Sequence, residues 1–231
     1  STANGKAFGY IQSQACLPAA FPSVRLTALM SVRSHLLWDV AFGPCTQGEI
    51  PYARELVGVA PARSLTLFDR GYFSAELLLS WQQAQPDSHW LIPTRNNLRH
   101  QVVERFSDHD CLVEMPVSQQ ARAQYPHLPA VWRARQICYA TPRGEIKGFL
   151  TSMLDPRRYP AEQLLRVYWE RWEIEQGYGE LKQRQLRNEL VLRSQRPEGV
   201  RQEIWGILLA YNLVRVEISR IAEEAQVPPL R

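Results

Sequence analysis

The sequence predicts an α/β domain whose core is interrupted by a β-rich segment, and three observations lead to this prediction. Short apolar strands alternate with helical patterns over residues 24–93. Within residues 96–154, apolar side chains alternate at period two, which is typical of antiparallel strands. Helical periodicity dominates the rest of the chain. Because strands that alternate with helices form α/β cores, we expect one domain over 1–231, with a core of 1–95 and 155–231 and a β-rich insertion at 96–154.

Each element is predicted from its own pattern. The strands are short apolar or alternating runs, and they cover 24–30, 36–42, 64–68, 90–93, 102–103, 111–115, 131–137 and 148–154. The helices carry apolar positions at helical spacing, and they cover 49–59, 73–84, 161–183 and 197–225. Pro61 ends the first helix, because proline lacks the N–H that a helix interior requires. Pro197 suits the first turn of the last helix.

Composition excludes several classes of protein. The 231 residues are 45% hydrophobic and 22% charged, which is ordinary for a globular protein. A membrane span needs roughly 18 consecutive apolar residues, and no run approaches that length, so we expect no membrane partner and a cytoplasmic protein. The four cysteines are scattered without a C-x-x-C pair, which predicts free thiols rather than a zinc site or a disulfide framework. The net charge of +4 permits an acidic partner without identifying one.

The most informative segment lies within the third predicted helix. At 3.6 residues per turn, Tyr168, Arg171, Glu175 and Lys182 fall within an arc of about 60° and span roughly 21 Å. One interpretation is a metal-binding carboxylate flanked by groups that contact phosphates. The other is a surface ion pair between Arg171 and Glu175, with Tyr168 and Lys182 extending into solvent. Periodicity alone leaves both interpretations open.

A second carboxylate, Asp69, closes the apolar run of the strand at 64–68. In an open α/β sheet, functional groups gather at the carboxyl ends of strands. An Asp there and a Glu on a later helix are hard oxygen ligands of the kind that hold Mg²⁺. A solvated residue at the strand end, or an ion pair with Arg70, is the alternative interpretation of Asp69.

Together these motifs resemble a known family. The spacing Tyr168-x₂-Arg171-x₃-Glu175-x₆-Lys182 is similar to the signature of bacterial DDE transposases of the insertion sequence 4 family. The run from Leu67 to Phe73, with the sequence LFDRGYF, resembles the segment around the second catalytic Asp of that family. Further resemblance extends over nearly the whole chain.

The resemblance implies a fold, a site and a reaction. The fold would be a ribonuclease H-like mixed sheet flanked by helices, with a β-rich insertion between the second catalytic Asp and the catalytic Glu. Asp69 and Glu175 would be the catalytic metal ligands, while Tyr168, Arg171 and Lys182 would contact DNA phosphates. Two Mg²⁺ ions would support cleavage and strand transfer on double-stranded DNA, at the transposon ends and at the target. A homodimer on paired ends, a nucleoid-associated bacterial protein and the absence of a small-molecule cofactor are also implied.

The first catalytic Asp of that family has no counterpart in this sequence. By the resemblance it is expected upstream of Ser1, and Asp39 is not a substitute because it lies within the second predicted strand. The chain as given is therefore expected to be catalytically incomplete. The alternatives are a catalytically dead DNA-binding remnant and a metal-dependent nuclease without strand transfer.

Two other basic features are candidates for DNA binding. Arg133 and Arg135 are two residues apart on a predicted strand beside Trp132, and they are expected to form either a phosphate-binding face or a solvated one. Residues 184–201 carry a local surplus of arginine, which suits either the DNA backbone or solvent. The five histidines form no metal-binding pattern and are expected to be structural or solvent-facing.

Overall fold

The fold is described from a computed structural model of the chain, which covers residues 2–11, 19–141, 143–170 and 192–227. The chain forms two compact units. The first, here called the hairpin unit, comprises Ser1–Leu56 and Glu170–Arg231. The second, here called the sheet unit, comprises Val57–Trp169.

In its described residues, the hairpin unit contains two antiparallel strands and three helices. The strands are β1 (Val24–Met30) and β2 (Leu37–Pro44), and the helices are α1 (Thr2–Phe8), α2 (Glu49–Glu55) and α6 (Pro197–Glu224). The hairpin pairs Val24 with Pro44, and its register shifts between Leu29 and Met30. The strand pair and the last helix that the sequence predicts are confirmed.

The core of the hairpin unit lies where α1, the hairpin and α6 meet. Its buried residues are apolar or aromatic, and they are Phe8, Val40, Val200, Ile204, Leu208 and Tyr211. Asn212 of α6 also binds both backbone polar groups of Leu37, with N···O distances of 2.9 Å each. Since buried backbone groups require partners, this amide fixes the position of α6 against the start of β2.

The sheet unit is built on one six-stranded mixed sheet. Its strands are β3 (Leu65–Leu67), β4 (His89–Pro93), β5 (Gln101–Ser107), β6 (Asp110–Pro116), β7 (Val131–Ala140) and β8 (Ile146–Thr151). They lie in the order β3-β4-β8-β7-β6-β5. The first pair, β3 and β4, is parallel, and the remaining pairs are antiparallel.

Helices cover both faces of this sheet. Trp81 of α3 (Ala75–Ala84) donates its indole N–H to the hydroxyl of Thr66 on β3 at 2.9 Å. The neighbouring strand residues Leu65 and Leu67 instead pack in a cluster with Leu164 of α5 (Ala161–Trp169). Because successive strand residues point to opposite faces, α3 and α5 lie on opposite sides of the sheet. A short helix, α4 (Gln119–Gln124), joins β6 to β7.

Some predicted boundaries differ from those observed. The helix predicted over 49–59 ends at Glu55, and the helix predicted over 161–183 is described only as far as Trp169. The helices α1 and α4 are not predicted, because their sequences, TANGKAF and QQARAQ, carry almost no large apolar side chains at helical spacing. The antiparallel strands expected within 96–154 are present, but β8 pairs directly with β4, so they extend the same sheet. A separate insertion therefore remains a prediction.

Among the helices of the described residues, none is both long and apolar enough to cross a membrane.

Candidate functional site

Asp69 lies where β3 ends and the chain turns. Phe68 continues the parallel pairing, because its N–H donates to the carbonyl oxygen of Leu91 at 2.8 Å. Asp69 then caps a short 3-10 helix, and its Oδ1 accepts the N–H of Arg70 at 2.7 Å. The prediction that an Asp closes this strand is confirmed. Asp69 lies at the carboxyl edge of the parallel pair β3 and β4.

The Asp69 carboxylate is exposed and has one uncommitted oxygen. Within the described part of the chain, no hydrogen bond or ion pair engages Oδ2. Arg70 contacts the carboxylate through its backbone N–H, so the side-chain ion pair considered from the sequence is not formed. An exposed carboxylate with a free oxygen fits Mg²⁺, which prefers hard oxygen ligands and keeps several waters.

Aromatic side chains support the turn that follows Asp69. The Phe68 ring packs edge-on against Trp81, with ring centroids 4.9 Å apart, and lies 6.0 Å from the Tyr72 ring. Trp81 is itself held to β3 by its hydrogen bond to Thr66. The backbone on either side of Asp69 is thereby tied to the core of the sheet unit, which positions the carboxylate.

Tyr168 belongs to the core of the sheet unit. Only 8% of its surface is exposed, and its ring stacks on Phe149 with centroids 5.1 Å apart. The cluster around it also includes Leu67, two residues before Asp69. This burial restricts any phosphate contact of Tyr168 to its phenol oxygen, and the predicted DNA contact stays a prediction.

The remaining residues of the predicted signature lie outside the described residues. These residues are Arg171, Glu175 and Lys182, and all three fall between the described ranges 143–170 and 192–227. Their roles as DNA contacts and as the catalytic and metal-binding Glu stay predictions. Within the described ranges, no group of three His, Cys, Asp or Glu side chains is arranged to hold a metal, a finding that does not bear on a pair involving Glu175.

Asp39 has a local structural role, as the sequence predicted. It lies within β2 opposite Leu29, and its Oδ1 accepts the N–H of Val40 at 2.7 Å. This contact has the same form as the contact between Asp69 and Arg70. The two aspartates differ in position, because Asp69 follows the end of its strand and Asp39 is in the middle of one.

The two arginines of β7 have different environments, which corrects one interpretation of the sequence. Arg135 is completely buried and binds both carboxylate oxygens of Asp110, the Nε–Oδ1 distance being 2.7 Å. It also donates to the carbonyl oxygen of Tyr159 at 2.6 Å. Arg133 remains exposed, 3.1 Å from Glu114. Arg135 is thus unavailable to DNA, because the segment leading into α5 covers it.

Trp132 and the described arginines near α6 complete these candidates. Trp132 is buried in the sheet unit, where its ring lies 5.7 Å from that of Trp90, so it is a core residue and not a base-stacking platform.

Of the arginine-rich stretch 184–201, residues 192–201 are described. Arg201 lies over the Phe8 ring at 5.8 Å, and the Arg193 backbone N–H is bound by Glu203.

A half-buried histidine is a further polar centre of the sheet unit. His89 Nδ1 lies 3.1 Å from the hydroxyl of Ser152, and its Nε2 lies 3.3 Å from that of Tyr159. Burial lowers the pKa of His89 below its usual value, an effect that nearby Asp87 opposes and Arg158 reinforces. The sequence predicts a structural or solvent-facing histidine here, but the partners of His89 could not be predicted because they lie more than sixty residues away in sequence.

The fold indicates a class of protein. A six-stranded mixed sheet flanked by helices fits the ribonuclease H-like fold. Residues 7–213 match the family described as "Transposase DDE domain". The chain belongs to this family, and it is of the IS4 type, as the sequence resemblance predicted.

Two relatives from Escherichia coli strain K12 agree with this assignment. The chain is 41% identical over 212 residues to "Transposase InsG for insertion sequence element IS4", an overlap of 92% of this chain and 48% of that protein. It is 36% identical over 85 residues to "Putative transposase InsZ", an overlap of 37% of this chain and 28% of that protein. The chain therefore spans about half the length of InsG, and its match covers less than a third of InsZ.

Proposed function

We propose that this chain is the catalytic part of a DNA transposase that cuts and joins DNA at the ends of an insertion sequence. Membership of the transposase family and the similarity to InsG support a role in DNA transposition. The observation that carries the proposal is Asp69, an exposed carboxylate at the carboxyl end of β3 with an uncommitted oxygen. In this proposal it is the second catalytic Asp.

Asp69 and Glu175 are proposed to hold two Mg²⁺ ions. The donor chemistry of Asp69 supports this assignment, and the spacing of Glu175 within the signature supports its partner role. When bound, Mg²⁺ would activate the attacking oxygen and stabilise the leaving oxygen of a phosphodiester. Asp69 itself would orient the bound metal, because the hydrogen bond from the Arg70 N–H restrains one carboxylate oxygen and leaves the other accessible.

DNA phosphates are the proposed ligands of Tyr168, Arg171 and Lys182. Arginine and lysine bind phosphate through charge, and each contact releases a counterion from the duplex. For Tyr168 the contribution would be a hydrogen bond from the phenol oxygen, since its ring is packed on Phe149.

The other proposals concern the protein as a whole. The strands β5 to β8 are antiparallel, which supports a β-rich insertion between Asp69 and Glu175 in a ribonuclease H-like core. A homodimer on paired DNA ends and a place at the bacterial nucleoid rest on the family resemblance alone.

DNA cleavage in the presence of magnesium tests the proposal. A labelled duplex with an IS4-type terminal sequence is expected to form a complex with the chain in EDTA. A form of the protein that also supplies the first catalytic Asp is expected to cut the element end when Mg²⁺ replaces EDTA, whereas residues 1–231 alone are expected to bind without cutting. If that form binds the duplex and never cuts it, the alternative is supported, a DNA-binding remnant without catalysis. Failure to form any complex would contradict both functions.

A further inference from the structure

A second functional group lies at the same edge of the sheet as Asp69. Because β3 and β4 are parallel and pair Leu67 with Leu91, their carboxyl ends meet at one edge. Asp69 follows β3 by two residues, and Arg95 follows β4 by two residues. The turn at Arg95 is tied down, since Thr94 donates to the carbonyl oxygen of Gly148 at 2.9 Å.

The Arg95 guanidinium rests on an aromatic ring of the segment that follows Asp69. Its Cζ atom lies 4.9 Å from the centroid of the Phe73 ring. That ring in turn lies 6.1 Å from the ring of Trp132, which is buried against Trp90. An arginine side chain held over a ring loses rotational freedom, but the N–H donors at the edge of its planar guanidinium are not covered by the ring. The edge donors of Arg95 therefore remain available to a ligand.

The charges around Arg95 favour an anion. The turn at residues 94–100, with the sequence TRNNLRH, contains two arginines and no acidic residue. Arg95 is exposed, and no carboxylate in the described ranges forms an ion pair with it. An exposed, prepositioned arginine without a carboxylate partner is suited to a phosphodiester, whose oxygens accept paired hydrogen bonds from a guanidinium.

We propose that Arg95, held over Phe73, binds a backbone phosphate of DNA at the edge of the sheet that carries Asp69. The inference rests on the proposed function, because it assumes that DNA lies across this edge. Arg95 would bind the strand near the scissile bond, separately from the contacts proposed for the signature helix. Phe73 is a positioning residue that acts through Arg95.

Salt-dependent DNA binding in EDTA tests Arg95 without requiring catalysis. The probe is a 30-base-pair duplex of mixed sequence, titrated with the 231-residue chain at several KCl concentrations. Arg95→Gln is expected to reduce the slope of log Kd against log[KCl] by about 0.9 and to weaken binding about eightfold near 0.1 M salt. The matched control is Arg63→Gln, which removes an exposed arginine just before β3, at the opposite edge of the sheet. That variant is expected to leave both quantities unchanged.

Two further variants separate charge from position. Arg95→Lys keeps the charge but loses the planar guanidinium, so the salt slope should be retained while binding weakens. Phe73→Leu keeps an apolar side chain against Trp132 but removes the ring under Arg95, and the same result is expected. Circular dichroism would verify that each variant retains its secondary structure.

The results distinguish failure of the inference from failure of the proposed function. An unchanged salt slope in Arg95→Gln, with the unaltered chain binding DNA normally, would overturn the role of Arg95 alone. Equal losses in Arg95→Gln and Arg63→Gln would also overturn it, because the effect would then be one of net charge. If the unaltered chain does not bind DNA at all, the proposed function fails and this inference fails with it.

Discussion

Single residues of similar type have different roles in this chain, and their positions along the strands explain the differences. Asp69 and Asp39 each accept the N–H of the following residue at 2.7 Å. Asp39 does so within a paired strand, whereas Asp69 does so beyond the last residue of β3. The same local contact therefore leaves the Asp69 carboxylate exposed at the edge of the sheet.

Replacing Asp69 by Asn tests its role as a metal ligand. The amide oxygen still accepts the Arg70 N–H, so folding should be preserved, but the negative charge is lost. We expect Asp69→Asn to weaken Mn²⁺ binding at least tenfold, a change of about 1.4 kcal/mol, as measured by electron paramagnetic resonance of free Mn²⁺. The matched control, Asp39→Asn, should bind Mn²⁺ like the unaltered chain. Equal affinities for all three proteins would rule out Asp69 as a ligand.

Contacts between residues distant in sequence determine several features that no local pattern shows. The position of Asp69 at the end of a strand could be predicted, because an apolar run of the sequence stops abruptly at this carboxylate. The burial of Arg135 could not, because alternation puts it on the same face as exposed Arg133, and the cover comes from residues near Tyr159. For Tyr168, the helical stripe identified a shared face but did not reveal that this part of it packs on Phe149.

At the scale of elements, α5 is fixed to the sheet by a few apolar side chains. Leu164 and Tyr168 are its buried residues, and they pack with Leu91, Ile137 and Phe149. Since the predicted catalytic Glu175 follows α5 in the sequence, the packing of α5 fixes Trp169, which lies six residues before Glu175.

Substitutions of Tyr168 distinguish packing from DNA contact. Tyr168→Ala removes a buried aromatic ring and should cost about 3–5 kcal/mol of unfolding free energy, measured by urea denaturation. Tyr168→Phe keeps the ring stacked on Phe149 and should cost roughly 1 kcal/mol or less, the value of one hydrogen bond. If the phenol oxygen contacts a phosphate, Tyr168→Phe should still weaken binding to end DNA. Normal binding by a stable Tyr168→Phe protein would contradict that contact.

The strand pair β6–β7 contains an ion pair whose loss should be costly. Arg135→Met leaves Asp110 buried without its partner, and we expect a loss of about 3–5 kcal/mol. Arg133→Met breaks an exposed pair on the same strand and should cost roughly 0–1 kcal/mol. Hydrogen exchange of the β7 amides measures both losses within the sheet unit. Similar losses in the two variants would contradict the different burial of the two arginines.

The contact between the start of β4 and the end of β8 predicts a pH dependence. Burial lowers the pKa of His89 in the folded protein, so the unfolded chain takes up the proton more readily. Stability should therefore be complete above the unfolded pKa of about 6.5 and should decrease as the pH falls through and below that value. Denaturation between pH 5 and 8 should show a smaller decrease for His89→Gln. An identical pH dependence would contradict the coupling, and His100→Gln is the exposed control.

At the scale of the whole molecule, the sequence predicts the class of fold. The order of strands and helices is enough to predict a mixed α/β fold, because periodicity reports which face of each element is buried. The boundary between the two units could not be predicted, because the hairpin unit combines residues before 57 with residues after 169. Such a division depends on long-range packing, as in the binding of Asn212 to Leu37.

The family assignment gives the whole molecule its chemical interpretation. A transposase must place carboxylates near DNA phosphates, and those phosphates require compensating cations. The proposed arrangement provides the carboxylates through Asp69 and Glu175, and cations through Arg95 and the signature residues. If DNA lies across this edge as proposed, Arg95 and Arg99 supply a local positive charge there that the net charge of +4 does not convey, because their turn has no acidic residue.

Asp69 and Glu175 are proposed to bind the same metal site, and local oxidative cleavage tests this shared site most directly. Fe²⁺ substituted for Mg²⁺ generates hydroxyl radicals with ascorbate and peroxide, and these radicals cut the polypeptide next to the metal. We predict cuts near residues 69 and 175 that excess Mg²⁺ suppresses and that Asp69→Asn and Glu175→Gln each abolish at both positions. Cuts near only one of the two residues, or cuts at both that survive Asp69→Asn, would contradict the shared site.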